Sequence, residues 1–356
     1  MRNESMRQVI CRLSCRATLL TLAALAALSI LIVPCAGGQS AKDAAARAQA
    51  TALFARAVSV TDIRAPGSPP FELRGAINVQ SHGKGGANGE YLLRWASPTR
   101  WREEIAFHNY TRIRVGGENQ YWQSRTTSHD PESILQLDQA LDFLKRLHAW
   151  SNPASIAALK DVRFHHEKRN GVKLDCVSLI PNGLNFGPDF CFDAANGSEV
   201  SDMPGPNDFS GSVTFHGKHF PGSIRAEEAP AVPVTMIVNS ISPLNDTRNE
   251  DFQPPQGATA WPSCDEPDAV PVIQRGVAPE YPTNEKLSHE EGSVFFYGVI
   301  GADGRLTQLA VLSTPDEAFA QSALTAASQW MYSPETCHGV PVPVEVLERI
   351  TYDLAY

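Results

Sequence analysis

Residues 292–334 read GSVFFYGVIGADGRLTQLAVLSTPDEAFAQSALTAASQWMYSP, and this stretch decides the fold of the C-terminal part of the chain. Ser293 to Ile300 is an apolar run of strand length. Gly301-Ala302-Asp303-Gly304 supplies turn residues, and Leu306 to Leu312 is the return strand. Thr314-Pro315-Asp316-Glu317 carries the marks of a helix start: Thr314 as cap, Pro315 at the first position and Glu317 three residues after the cap. Phe319, Ala323, Ala327 and Trp330 fall on one face of that helix, and Pro334 ends it. Val344, Val346, Ile350, Tyr352 and Leu354 then read as a final, mostly alternating strand. The order is β-β-α-β, with a short element near Pro282 to His289 in front.

Upstream of this unit, residues 253–270 are rich in proline and glycine with little periodicity, which predicts a linker between residues 39–252 and residues 271–356. Such a linker spans only about 60 Å even as polyproline, too short for an arm across a periplasm. Ala41 to Ala57 is alanine-rich and free of helix breakers, so a helix is expected. The period then changes to two. Phe71, Leu73, Gly75, Ile77 and Val79 alternate along one strand, Tyr91, Leu93 and Trp95 along a second, and Trp101, Ile105 and Phe107 along a third. A glycine-rich turn, Gly83 to Gly89, separates the first two. Thr111 to Val115 and Gln120 to Arg125 read as a hairpin around Gly116-Gly117. Pro131 to Leu147 is helical by period: Ile134, Leu137, Leu141 and Leu144 form the stripe, with Asp138, Asp142 and Lys145 off it. Strands return at residues 162–168, 173–180, 190–193, 212–219 and 232–238. The fold class is therefore α+β: a curved antiparallel sheet with covering helices, followed by the small β-β-α-β domain.

At the other end, Arg2, Arg7, Arg12 and Arg16 precede an uncharged run from Ala17 to Val33, and Pro34-Cys35-Ala36-Gly37-Gly38 follows. Basic, apolar, then small is the layout of a secretory signal, expected over residues 1–38 with cleavage after Gly38. An uncleaved inner-membrane anchor is the alternative, and lipid attachment at Cys35 a third. Export places the mature chain in the periplasm or beyond. Losing four arginines and Glu4 takes the formal net charge from −9 to −12. An acidic chain is a poor match to phosphate backbones, so no nucleic-acid partner is expected. Four cysteines remain: Cys176, Cys191, Cys264 and Cys337. Three pairings exist, and Cys176–Cys191 with Cys264–Cys337 is favoured because each bond stays within one expected domain.

Residues 271–356 resemble the TonB C-terminal domain. The marks are Pro279-Glu280-Tyr281-Pro282, Gly292-Ser293-Val294, Gly301-Ala302-Asp303-Gly304-Arg305-Leu306, Ala326-Ala327-Ser328-Gln329-Trp330-Met331-Tyr332-Ser333-Pro334 and Gly339-Val340-Pro341-Val342-Pro343-Val344. The resemblance implies a small sheet packed by helices that binds periplasmic partners. An exposed strand edge would pair with a short segment of an outer-membrane transporter, and the matching strand carries Val344, Val346, Ile350, Tyr352 and Leu354. Two departures are a short linker in place of a long proline-rich spacer and a cleavable signal in place of an anchor. Residues 41–250 are more faintly similar to the lipoprotein-carrier fold of the LolA/LolB type, through Gly89-Glu90-Tyr91-Leu92-Leu93-Arg94-Trp95 and Ser97-Pro98-Thr99-Arg100-Trp101-Arg102. That fold curves around an apolar cavity for acyl chains.

Trp95, Trp101, Phe107 and Trp122 are the candidate lining of such a cavity, against the simpler reading as core. His165-His166 and His216-x-x-His219 match no zinc spacing, and neighbours on a strand point to opposite faces, so no metal is expected. Glu103-Glu104 are set apart in the same way and read as a charged outer face. Arg100, Arg102, Arg112 and Arg114 are candidates for an anionic headgroup, against solvated salt bridges. No G-x-S-x-G, no Cys–His nucleophile pair and no phosphate-cradling glycine loop occurs, so no catalytic or cofactor-binding residue is assigned. The expected function is an exported envelope binding protein that docks a partner by strand-edge pairing, with a lipid or acyl ligand for its first domain. A non-catalytic scaffold is the alternative, and an enzyme has least support.

Overall fold

The computed structural model describes residues 37–80, 86–107, 109–182, 185, 187–203, 207–227, 232–263, 269 and 271–354. The expected signal segment up to residue 36, part of the Gly83 to Gly89 turn, and Cys264 lie outside the described residues. The chain begins with α1 (Gly37–Thr61), β1 (Phe71–Val79), β2 (Ala87–Ser97), β3 (Arg100–Phe107), β4 (Thr111–Gly116) and β5 (Gln120–Arg125). Three helices follow: α2 (Glu132–Leu141), α3 (Phe143–Ser151) and α4 (Pro153–Ala157). Then come β6 (Asp161–Arg169), β7 (Val172–Ile180), β8 (Asp189–Asp193), β9 (Glu199–Met203), β10 (Asn207–Ser210), β11 (Val213–Phe215), β12 (Lys218–Phe220), β13 (Ser223–Ala226), β14 (Val234–Pro243) and β15 (Thr259–Pro262). The C-terminal part holds β16 (Val272–Arg275), α5 (Thr283–Leu287), β17 (Gly292–Ile300), β18 (Leu306–Ser313), α6 (Glu317–Ala327), β19 (Met331–Ser333), β20 (Glu335–Cys337), β21 (Val340–Val342) and β22 (Val344–Tyr352).

Among the described residues, thirteen strands form one curved antiparallel sheet in the order β15-β5-β4-β3-β2-β1-β14-β13-β10-β9-β8-β7-β6. The alternation of β1 and β2 works as its period requires. Phe71, Leu73 and Ile77 with Tyr91, Leu93 and Trp95 are buried on the face that the helices cover. Ala50, Phe54 and Ala57 of α1 land on that face, and the Phe54 ring meets Phe190 and Phe192 edge-on at 5.1 and 5.4 Å.

The helix expected from Pro131 to Leu147 is two helices. At Asp142, ψ rises to 9°, out of the helical range, so α2 ends and α3 starts afresh. The bend keeps Ile134, Leu137 and Ala140 and then Phe143, Leu144 and Leu147 in one core. Asn152 caps α4 by accepting from the Ala154 N–H at 3.0 Å, with Pro153 in the first turn. Within the expected linker, β15 pairs with β5 as the edge of the large sheet, so this stretch is built onto the first domain.

The C-terminal strands lie in the order β18-β17-β22, with α6 across one face. Val294, Phe296 and Ile300 pack there on Phe319, Ala323 and Ala327. Between Tyr297 and Val299 the β17–β18 register slips, with Gln308 at φ 53° on the bulged strand. Gly298 sits opposite the bulge because a Cβ there would come within 2.6 Å of Leu306 Cδ1. The α6 cap is Asp316, not Thr314. Its Oδ1 accepts from the Ala318 and Phe319 N–H groups at 2.7 and 3.1 Å, while the Thr314 hydroxyl donates to the Asp316 carbonyl at 2.6 Å. A carboxylate satisfies two orphan donors and also faces the positive end of the helix, which a hydroxyl does less well.

A disulfide joins Cys176 of β7 to Cys191 of β8, as expected. Cys337 is also disulfide-bonded; its expected partner, Cys264, lies outside the described residues.

Candidate functional site

β22 is the outer strand of the small sheet, and among the described residues no strand pairs with its free edge. Val344, Val346, Ile350 and Tyr352 all turn toward α6 and join the unit's own core. Leu354 lies beyond the strand end, and its N–H donates to Glu291 Oε1 at 2.6 Å. The side chains singled out from the sequence therefore anchor the strand from within. What the edge offers outward is backbone N–H and C=O groups.

The opposite face of this sheet meets the first domain. Phe295, Tyr297 and Val299 of β17 are buried there. The Tyr297 ring stacks on His129 at 5.5 Å, and its hydroxyl donates to Glu345 Oε1 of β22 at 2.5 Å. Arg125 of β5 closes the contact: its Nη1 lies 2.8 Å from Glu345 Oε1, and its Nη2 donates to the Tyr297 hydroxyl at 3.3 Å. Burial and then the Glu345 hydrogen bond push the Tyr297 phenol up, so it stays a donor. A polar cleft of about 300 Å³ opens beside this contact, lined by Arg125, Ser128, Trp261 and Gln308 among others.

Behind Arg125 the helix-covered face of the large sheet changes from apolar to ionic. Register places Glu103, Arg114 and Gln123 in one row and Ile105, Arg112 and Arg125 in the next. The Arg112 side chain is fully buried, with Nη1 2.5 Å from Asp130 Oδ2, Nη2 2.6 Å from Glu103 Oε1, and both nitrogens 2.7 Å from the Asp138 carboxylate. Arg114 adds a 2.9 Å contact to Asp138, Arg125 one of 3.2 Å to Asp130, and the Tyr110 hydroxyl donates to Asp130 at 2.7 Å. Burial opposes the charge of Asp130, but Arg112 and Arg114 outweigh it and hold its carboxyl at about 2. Asp138 is lowered by the same balance.

This arrangement corrects three readings. Arg112 and Arg114 are not surface salt bridges, because Asp138, off the apolar stripe of α2, reaches down to them. Glu103 is not on an outer face, whereas Glu104 does pair with Arg102 at 2.5 Å on the other side. Asp130, Arg125, Tyr297 and Glu345 carried no signal in the sequence, since each takes its meaning from a partner far away in the chain. Arg100 reaches Asn249 Oδ1 at 2.9 Å and the Thr247 carbonyl.

The four candidate cavity residues spread along the sheet. Trp95 is buried and stacks on Phe71 at 5.5 Å. Trp101 is laid on Gly116, where a Cβ would stand 2.1 Å from its Nε1, and with Phe107 it borders the main core. Trp122 is half-buried on the other face of the sheet, in register with Val115 and Arg102, so it does not join Trp95 and Trp101 as a cavity lining. The histidines separate as strand geometry requires: His165 Nε2 lies 3.5 Å from Asp189 and His166 Nδ1 2.9 Å from Asp175. His216 takes the left-handed turn position at φ 47°, while His219 contacts Ser212 at 3.3 Å. A second buried cluster lies under α3, where Arg146 Nη2 is 2.6 Å from Asp202 and Glu199 is buried with no hydrogen-bond partner among the described residues for either carboxyl oxygen.

Residues 277–354 match the family described as the Gram-negative bacterial TonB protein C-terminal. Protein TonB of Vibrio cholerae is 36% identical over 100 residues, a match spanning 28% of this chain and 40% of that protein. The solution structure of the Pseudomonas aeruginosa TonB C-terminal domain aligns at 23% identity and a TM-score of 0.23, covering 25% of this chain and 91% of that one. The LolA superfamily protein NE2245 of Nitrosomonas europaea aligns at 11% identity and a TM-score of 0.34, covering 57% of this chain and 97% of that one. Among the described residues, no helix is long and apolar enough to cross a membrane.

Proposed function

We propose that the chain is a non-catalytic envelope binding protein whose C-terminal unit docks an extended segment of an outer-membrane transporter along the free edge of β22. The observation that carries this is the open edge of β22 in a unit, residues 277–354, that matches the TonB C-terminal family. Strand addition draws affinity from backbone hydrogen bonds, which fits a strand whose apolar side chains are spent on its own core. The ionic junction holds the unit against the first domain, so the two would meet a partner as one body.

The test immobilises the chain and offers solubilised outer-membrane proteins. Neighbouring residues of an antiparallel strand direct their N–H groups to opposite edges, so prolines at Glu348 and Arg349 in turn remove one inward and one outward donor. Plugged β-barrel transporters should be recovered by the native chain and lost with the proline variant that still folds. Recovery by both native chain and folded variant would remove the edge-docking reading. A lipid or acyl ligand for the first domain is a separate part of the proposal, resting on the aromatic border at Trp101 and Phe107. Solvent extraction of the purified chain tests it, and an empty extract would leave a scaffold role for that domain.

A further inference from the structure

β6, β7 and β8 lie side by side, and their register sets His165 opposite Cys176 and Cys176 opposite Cys191. The three side chains stand in one row on one face of the sheet. Val177, Leu179, Phe190 and Phe192 point the other way, into the helix-covered core. Cys176 and Cys191 pack instead in a small separate cluster with Leu174. Glu167, two residues along β6 from His165, shares the row's face. One ligand atom from each of His165, Glu167, Cys176 and Cys191 lies within 4.8 Å of all the others.

Over the disulfide stand the His165 imidazole, beside Asp189, and the Glu167 carboxylate, beside Arg169, so four side chains of metal-ligand type converge on one spot. We propose that, when the Cys176–Cys191 bond is reduced, these four residues bind one zinc ion, making the pair a redox-controlled metal site. The Sγ–Sγ bond takes two electrons and two protons from a dithiol reductant, which leaves as its own disulfide. Zinc then displaces both thiol protons, since the thiolates are the ligands. Two sulfurs, one ring nitrogen and one carboxylate oxygen suit a tetrahedral zinc, whose ligand atoms stand about 3.5 Å apart, within rotamer reach of the observed spacing. With three anionic ligands the site carries one net negative charge, which Arg169, 2.8 Å from Glu167, offsets. Asp189 Oδ2 lies 3.5 Å from His165 Nε2 and 4.0 Å from Cys191 Sγ, so this carboxylate borders both the imidazole and the sulfurs. The sulfurs are buried while the His165 side chain is 44% exposed, so the ion enters from solvent past the ring.

Cobalt(II) is the probe, because thiolate ligation gives it a ligand-to-metal charge-transfer band. The chain is reduced with a phosphine, freed of excess reductant and titrated with cobalt, then zinc in competition. One cobalt per chain with the thiolate band is expected after reduction, and none before it. Cys176→Ser should abolish the band while keeping Cys264 and Cys337 reduced, which measures any share from those two. His165→Ala should weaken binding at least tenfold. Equal binding by the reduced native and Cys176→Ser chains, or by native and His165→Ala chains, would overturn the proposal. Should reduction unfold the chain by circular dichroism, refolding on added zinc in the native sequence but not in His165→Ala supports it, and refolding in neither overturns it.

Discussion

Arg112, itself fully buried, pairs its guanidinium with three carboxylates, of which Asp130 is fully buried too, so removing it strands charge rather than deleting a contact. Arg112→Ala should cost about 3–5 kcal/mol in urea unfolding, the range for breaking one partner out of a buried ion pair. Asp130 links the same cluster to pH. Its folded carboxyl is held at about 2, below the ordinary 3.8. The stabilisation is therefore complete above about pH 4 and drains away as pH falls through about 2. Asp130→Asn should flatten the acid limb of the stability profile over that window. Glu199 has the opposite sign. Burial, reinforced by Asp202, raises its carboxyl, so the folded state keeps a proton that the unfolded chain gives up, and stability falls as pH rises above the usual carboxylate range. Glu199→Gln should raise stability at pH 7 by about 1 kcal/mol or more, with the gain vanishing at pH 4. None of these roles was legible locally. Arg112 and Arg114 alternate on one strand face in the sequence, but which face is set by the pairing of β3 with β4.

At the scale of elements, legibility followed the strength of the local pattern. β17, β18, the start of α6 and β22 were readable because long apolar runs and clear punctuation leave few alternatives. But α6 stops at Ala327, before Trp330, and Met331–Ser333, expected to continue the helix to Pro334, form β19 paired with β16. β9, β10 and β13 were missed: they are four or five residues long and carry Glu199, Asp202, Asn207, Asp208 and Arg225, so neither length nor alternation marks them. β15 was hidden among prolines, which an edge strand tolerates. The α6 start was legible to within two residues, but the choice of cap depended on geometry. Asp316→Ala should therefore cost about 1 kcal/mol, and Thr314→Val clearly less, in a thermal or urea comparison of the two variants.

Across the whole molecule, the two parts meet through a few groups that the sequence separates widely. Arg125 and Glu345 are each 11% exposed, intermediate between a screened surface pair and a buried one. A double-mutant cycle with Arg125→Ala and Glu345→Ala should give a coupling of about 1 kcal/mol. Tyr297 matters more for association, since in the intact chain it lies buried between His129 and Arg125, beside Phe295 and Val299. Residues 271–354 produced alone would bare that face, and an apolar patch on an otherwise polar surface seeks another. The isolated unit should therefore self-associate with rising concentration in sedimentation experiments. Tyr297→Lys, which leaves the α6 side of the sheet untouched, should return it to a monomer. The intact chain should show no such dependence on Tyr297. An isolated unit that stays monomeric would mean that the bared face is too small or too polar to drive association by itself.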